Sequence, residues 1–318
     1  MIENFIFSIN AVVPIFSLIG FGYILRQKAF LSEPTINELN RLVFTFALPA
    51  ILFRSTYQVN FSELFNPRLI GWVLGSIALS FIVFWFFAEL FLRKKRDLIS
   101  SFVQGAYRAN YAVMGIPLVA NIMGEYDTGM TALSVAFVVI LYNVLAVIVF
   151  TAKGSDRGFS FALFKDVLIG LFKNPSIIGS FLGLAVNLSG IQMPQMASDT
   201  VGFVATLGTP LALLAVGGSM QISAVREYLK AVIACTAAKI VVMPLAVVLA
   251  SIQLGFRGEE LALIFAVSAN PTAMISYVMA TRMGGNPDFT SSVILMTTAF
   301  SLVTITAGVY LLMVFGLV

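Results

Sequence analysis

Asn110 and Asn270 are the side chains best placed to do chemistry in this sequence. They stand 160 positions apart, each preceded by an alanine, inside a long apolar stretch and near a proline. The first stretch reads Tyr107-Arg108-Ala109-Asn110-Tyr111-Ala112-Val113-Met114-Gly115-Ile116-Pro117-Leu118. The second reads Ser268-Ala269-Asn270-Pro271-Thr272-Ala273-Met274-Ile275-Ser276-Tyr277. A proline inside a helix removes a hydrogen bond and clashes with the preceding turn, at about 3 kcal/mol. Gly115, close to Pro117, weakens the first stretch further. A helix broken there frees N–H and C=O groups for a ligand, and its second half begins with a partial positive charge. Asparagine at such a break can donate and accept. The arrangement suits a small anion. The candidate binding residues are Asn110, Gly115, Pro117, Asn270, Pro271 and Thr272, with Ser276 on a plausible lining face. Thr272 is included because Pro117 lies seven residues after Asn110 while Pro271 follows Asn270 at once. A slip of one or two positions would pair Asn110 with Thr272.

Besides Arg41, two cations fall inside the apolar stretches, Arg108 and Lys239. A charge at mid-helix costs roughly 2.5–3.5 kcal/mol on insertion scales, so both are candidate anion ligands. The fifteen acidic residues all fall in loops or near the ends of apolar stretches. A carboxylate proton relay or a carboxylate sodium site is therefore poorly supported. There is no histidine and one cysteine, Cys235. This removes Ser-His-Asp and Cys-His triads and histidine zinc sites. No catalytic residue, metal site or cofactor is expected, and the chain does not read as an enzyme. Cys235 reads as a packing residue.

The elements that must position these residues are membrane helices. Of 318 residues, 59% are hydrophobic and 11% are charged, against about 25% charged in a soluble domain. Ten apolar segments run about 5–25, 36–56, 69–92, 98–122, 128–151, 167–188, 197–221, 228–253, 259–283 and 289–317. With the first end outside, the inner loops carry thirteen basic residues and the outer loops three, Arg54 among them. That bias puts both termini on the non-cytoplasmic side of a cell (inner) membrane. The net charge of +4 belongs to this asymmetry and does not imply a nucleic-acid partner.

The punctuation repeats. Pro14 and Pro49 match Pro175 and Pro210 at a shift of 161; Ala109-Asn110 and Met123-Gly124 match Ala269-Asn270 and Met283-Gly284 at 160. Five spans per half make the second half enter from the opposite side. The expected fold is all-α and integral to the membrane: ten transmembrane helices in two inverted five-helix repeats, with helices 4 and 9 broken. Residues 1–153 form the first repeat, 154–166 a cytoplasmic linker and 167–318 the second. Inverted repeats with broken helices are a secondary-transporter architecture.

The run Asn110 to Leu118, with Lys173-Asn174-Pro175 and Pro271-Thr272-Ala273, resembles the auxin efflux carriers and their bacterial malate and malonate relatives. The resemblance covers essentially the whole chain. It implies that helices 1, 2, 6 and 7 form a scaffold, dimeric across a homodimer interface, and that helices 3–5 and 8–10 form a moving transport domain. Helices 4 and 9 would cross at their prolines, with the substrate there. Plant members carry a proline where Ala109 stands, so auxin-specific detail does not transfer. The function expected is an elevator-type carrier exporting small organic anions, such as dicarboxylates or auxin-like carboxylates, through the bilayer. The alternatives are a sodium-coupled symporter of the bile-acid type and, more remotely, a channel.

Overall fold

The computed structural model describes residues 17–58, 66–123, 129–153, 169, 172–219 and 222–318. Pro14, Gly124 and the linker 154–166 lie outside the described residues, as does most of the first expected span.

All regular structure among the described residues is helical. Helix α1 covers 17–27. α2 (Glu33–Leu42) passes through a widened π-turn, Val43–Ala47, into α3 (Leu48–Tyr57). Then come α4 (Pro67–Phe91), α5 (Ile99–Tyr107), α6 (Tyr111–Met123), α7 (Gly129–Lys153), α8 (Pro175–Leu188), α9 (Gln195–Thr206) and α10 (Gly208–Ser219). α11 (Ile222–Ala237) passes through a second π-turn, Ala238–Val242, into α12 (Met243–Gln253). α13 (Gly258–Ala269), α14 (Ile275–Arg282) and α15 (Pro287–Val314) complete the chain.

Local sequence explains the boundaries. Asn66-Pro67 and Asn286-Pro287 open α4 and α15: each asparagine side chain accepts a hydrogen bond from the N–H three residues on, at 3.1 and 2.9 Å, and proline takes the first helical position. Pro49 and Pro244 are the second residues of α3 and α12, each just after a π-turn. A wider turn gives the ring room against the preceding carbonyls, so the helix continues past each of these prolines.

Six continuous stretches are long and apolar enough to cross a bilayer: Glu33–Arg54, Pro67–Phe91, Leu133–Ala152, Gln195–Gly218, Tyr228–Gln253 and Pro287–Val314. The chain is thus a multi-pass helical membrane protein. The expected fourth and ninth spans fall short as single helices because both are interrupted. The first begins in undescribed residues, and the sixth is represented by the shorter α8.

Small residues set the tightest approaches. α8 lies on α3 so closely that a Cβ on Gly179 would strike the Pro49 backbone, and one on Gly183 the Phe53 carbonyl. Gly217 of α10 meets the Ile19 carbonyl of α1 in the same way. Membrane helices gain little from apolar burial against each other, so close backbone packing at small residues is what holds them.

The candidate site and the family it belongs to

Two broken helices meet at their breaks. The first break lies between α5 and α6, where Arg108 is extended (φ −82°, ψ 111°). The second lies between α13 and α14, where Asn270 is extended (φ −60°, ψ 144°). Pro271 causes the second, because a residue before proline is pushed out of the helical region. Across the gap Ala109 and Thr272 form an isolated antiparallel bridge. The Asn110 N–H donates to the Pro271 carbonyl at 2.7 Å, and the Ala273 N–H donates to the Arg108 carbonyl at 3.2 Å. Each break thus satisfies backbone groups of the other, as non-helical backbone at membrane depth requires. Thr272 pins the crossing further. Its hydroxyl donates to the Gly105 carbonyl at 2.7 Å, and its N–H donates to the Thr297 hydroxyl of α15 at 3.2 Å.

The first break departs from expectation. Gly115 and Pro117 lie inside α6, which continues through both. The interruption comes at 108–110, where no proline stands, so the helices cross at Ala109 and Thr272 and not at paired prolines. Lipid-embedded helices tolerate proline when neighbours satisfy the freed groups. Gly115 has a packing role instead: a Cβ there would strike the Tyr111 ring, whose hydroxyl shares a 2.6 Å hydrogen bond with Ser134.

A cavity of about 360 Å³ opens beside the crossing. Its walls come from α3, α7, α9, α10 and both breaks. Arg108 and Asn110 line it, together with Ala273, Met274 and Ile275. The residues that lead into α6 and α14 therefore border the same space, and in α14 the Ser276 and Tyr277 N–H groups donate to the Ala273 and Met274 carbonyls. First-turn N–H groups have no partner within their helix and carry the positive end of its dipole.

Arg108 is the strongest feature of the wall. It is 3% exposed, and no carboxylate pairs with it among the described residues. Neutral acceptors hold it: the Asn143 amide oxygen at 3.1 Å, the Met279 sulfur at 3.1 Å and the Tyr142 carbonyl at 3.4 Å, with its guanidinium 5.8 Å from the Tyr142 ring centre. Its Nε–H has no hydrogen-bond acceptor, and the Asn110 side-chain NH₂ is also without a partner. Buried donors in that state are rare in folded proteins. Both atoms are closed off from solvent, although their residues line the cavity.

The other candidates are placed as follows. Asn270 is fully buried behind the crossing, with its side-chain oxygen and nitrogen both unpartnered. Ser276 is buried with its hydroxyl unpartnered. Pro271 contributes its carbonyl to the bridge. Lys239 does not line the cavity: it is fully buried in the second π-turn and donates to the Ser268 carbonyl at 2.9 Å, in the last turn of α13. There it satisfies a carbonyl at the end of a broken helix, where cations are favoured.

Four polar residues of the wall escaped the sequence reading: Arg54, Gln58, Thr206 and Thr209. Basic-residue asymmetry assigns Arg54 to the outer loop, but it lies in the last turn of α3. Its charge within Leu48–Tyr57, an otherwise apolar helix, was the available signal. Thr206 and Thr209 flank Gly208, where α9 gives way to α10.

An all-helical multi-pass protein with a mainly apolar cavity that carries a few polar groups at two crossed, broken helices has the make-up of a membrane transporter rather than an enzyme. Comparison with known families agrees. The family described as membrane transport protein matches residues 7–309, and the chain belongs to that family. Its relatives include an uncharacterized transporter of Methanothermobacter thermautotrophicus, 25% identical over 95% of this chain and 97% of that one. A protein of Rhizobium meliloti provisionally named a malonate transporter is 24% identical, over 95% of this chain and 94% of that one. A rice protein provisionally named auxin efflux carrier component 5a is 23% identical, over 92% and 93%.

Proposed function

We propose that this protein is a carrier of small organic anions whose substrate binds in the cavity beside the Ala109–Thr272 crossing. The observation that carries the reading is the wall itself. Arg108, Asn110 and the residues that lead into α6 and α14 line it together, and no described carboxylate lines it. Anions are favoured at helix N-termini and pair with arginine through charge-assisted hydrogen bonds. Broken helices at a midplane site are the usual transporter solution.

The finer architecture belongs to the same proposal. Ten spans form two inverted repeats, with both termini outside the cytoplasm. The cavity wall draws α3, α9 and α10 from the scaffold set, and α7 and the breaks from the transport set. A substrate held between the two sets would be carried by their relative displacement, and the scaffold would also supply a homodimer interface. With the inside negative, each 100 mV contributes about 2.3 kcal/mol per anionic charge toward export.

Counterflow tests the carrier reading. Proteoliposomes loaded with unlabelled malonate should accumulate labelled malonate transiently, and Asn110→Ala should abolish the overshoot. Equal uptake with and without internal substrate would indicate a channel. A cysteine pair joining α3 to α7 in a Cys235→Ser background tests the displacement; full transport after cross-linking would exclude it.

A further inference from the structure

Arg54 lines the same cavity from a different helix, α3. It sits in the last turn of α3, lines the cavity with Arg108, and is exposed where Arg108 is buried. Its guanidinium rests near Gly202 of α9: a Cβ placed there would come 3.5 Å from an Arg54 terminal nitrogen. No carboxylate pairs with Arg54 among the described residues, and Gln58, one turn on, lines the cavity beside it. Two arginines thus line one cavity of about 360 Å³, one on α3 and one at the break before α6. No described acidic side chain neutralises either. A monocarboxylate can engage one of them and leaves the other cation uncompensated.

We infer that Arg54 is a selectivity residue that takes the second carboxylate of a small dianion whose first carboxylate rests on Arg108, so that the protein prefers dicarboxylates over monocarboxylates. This rests on the anion-carrier reading above. Arginine offers a planar donor fork that matches a carboxylate in two parallel hydrogen bonds; a carboxylate on Arg108 would take the place of neutral acceptors such as Asn143 and Met279. Because α3 and the broken helices belong to different helix sets, the dianion bridges them. Separation of the sets then breaks the Arg54 contact and leaves the substrate on Arg108.

The test compares malonate with its monoamide, malonamate, which keeps the shape and loses one charge. Competition against labelled malonate uptake in proteoliposomes gives the ratio of apparent affinities. The expected result is a wild-type preference for malonate of about tenfold or more, collapsing toward unity in Arg54→Gln, since one charge-assisted contact is lost. Arg54→Lys keeps the charge without the fork and should give an intermediate ratio, which also serves if the glutamine variant does not fold. A wild type that takes malonamate as well as malonate, or a preference unchanged in Arg54→Gln and Arg54→Lys, overturns the role of Arg54 while leaving the carrier reading intact. A wild type that moves neither compound in counterflow overturns the carrier reading and this inference together.

Discussion

Replacing Arg108 by methionine should separate transport from stability. The side chain is buried without an ionic partner among the described residues, and three neutral acceptors hold it. An arginine at membrane depth costs roughly 2.5–3.5 kcal/mol on insertion scales. Hydrogen bonds from a charged donor return about 1.5–3 kcal/mol each, and the contact to sulfur less. The bonds offset that cost or somewhat outweigh it, and methionine leaves the Asn143 amide oxygen without this donor, so Arg108→Met should lower the melting temperature in detergent by only about 2–6 °C. Substrate binding should respond differently. A hydrogen bond to a charged group is worth about 1.5–3 kcal/mol, so affinity for a carboxylate should fall roughly 10- to 150-fold. The assays are thermal unfolding of the purified protein with and without malonate, and concentration-dependent uptake in proteoliposomes. Malonate should raise the melting temperature of the wild type and not of the variant. Unchanged uptake in the variant would refute the assignment of Arg108 to the substrate. A large loss of stability without substrate would show that its role is structural.

Further outcomes follow from other contacts. Thr272→Val preserves shape but deprives the Gly105 carbonyl of its donor, and should cost about 1–3 kcal/mol by thermal unfolding. Lys239→Met should change the apparent affinity for malonate far less than Arg108→Met, by under about threefold, because Lys239 is bonded to Ser268 away from the cavity. Gly179→Ala places a methyl group against the Pro49 backbone and should destabilise the protein by about 1–3 kcal/mol, read as a lower melting temperature.

The second break could be read from the chain because its cause is local: Pro271 fixes the conformation of Asn270. The first break has no such cause. Nothing in Arg108-Ala109-Asn110 forbids a helix, and the interruption there is stabilised by the bridge to Pro271 and Ala273, which are far away in sequence. Pro117 and Gly115 drew attention because they are local breakers, yet α6 absorbs both. Arg54 and Lys239 show the same division. The apolar pattern puts Lys239 inside a span and Arg54 in an outer loop, but whether a cation reaches a cavity or a helix end depends on which helices pack together. Asn110 and Arg108 were legible because polar groups inside an apolar stretch need a reason to be there. The unpartnered Asn270 amide, behind the crossing, still needs one.

The most direct test of the central claim is charge movement in proteoliposomes holding the purified protein. Malonate, succinate, malate, indole-3-acetate and a bile acid are applied with and without sodium. A saturable, sodium-independent current for a carboxylate, lost in Asn110→Ala, is the expected result. A current that requires sodium, or one that persists unchanged in Asn110→Ala, would contradict an anion carrier built on the crossing.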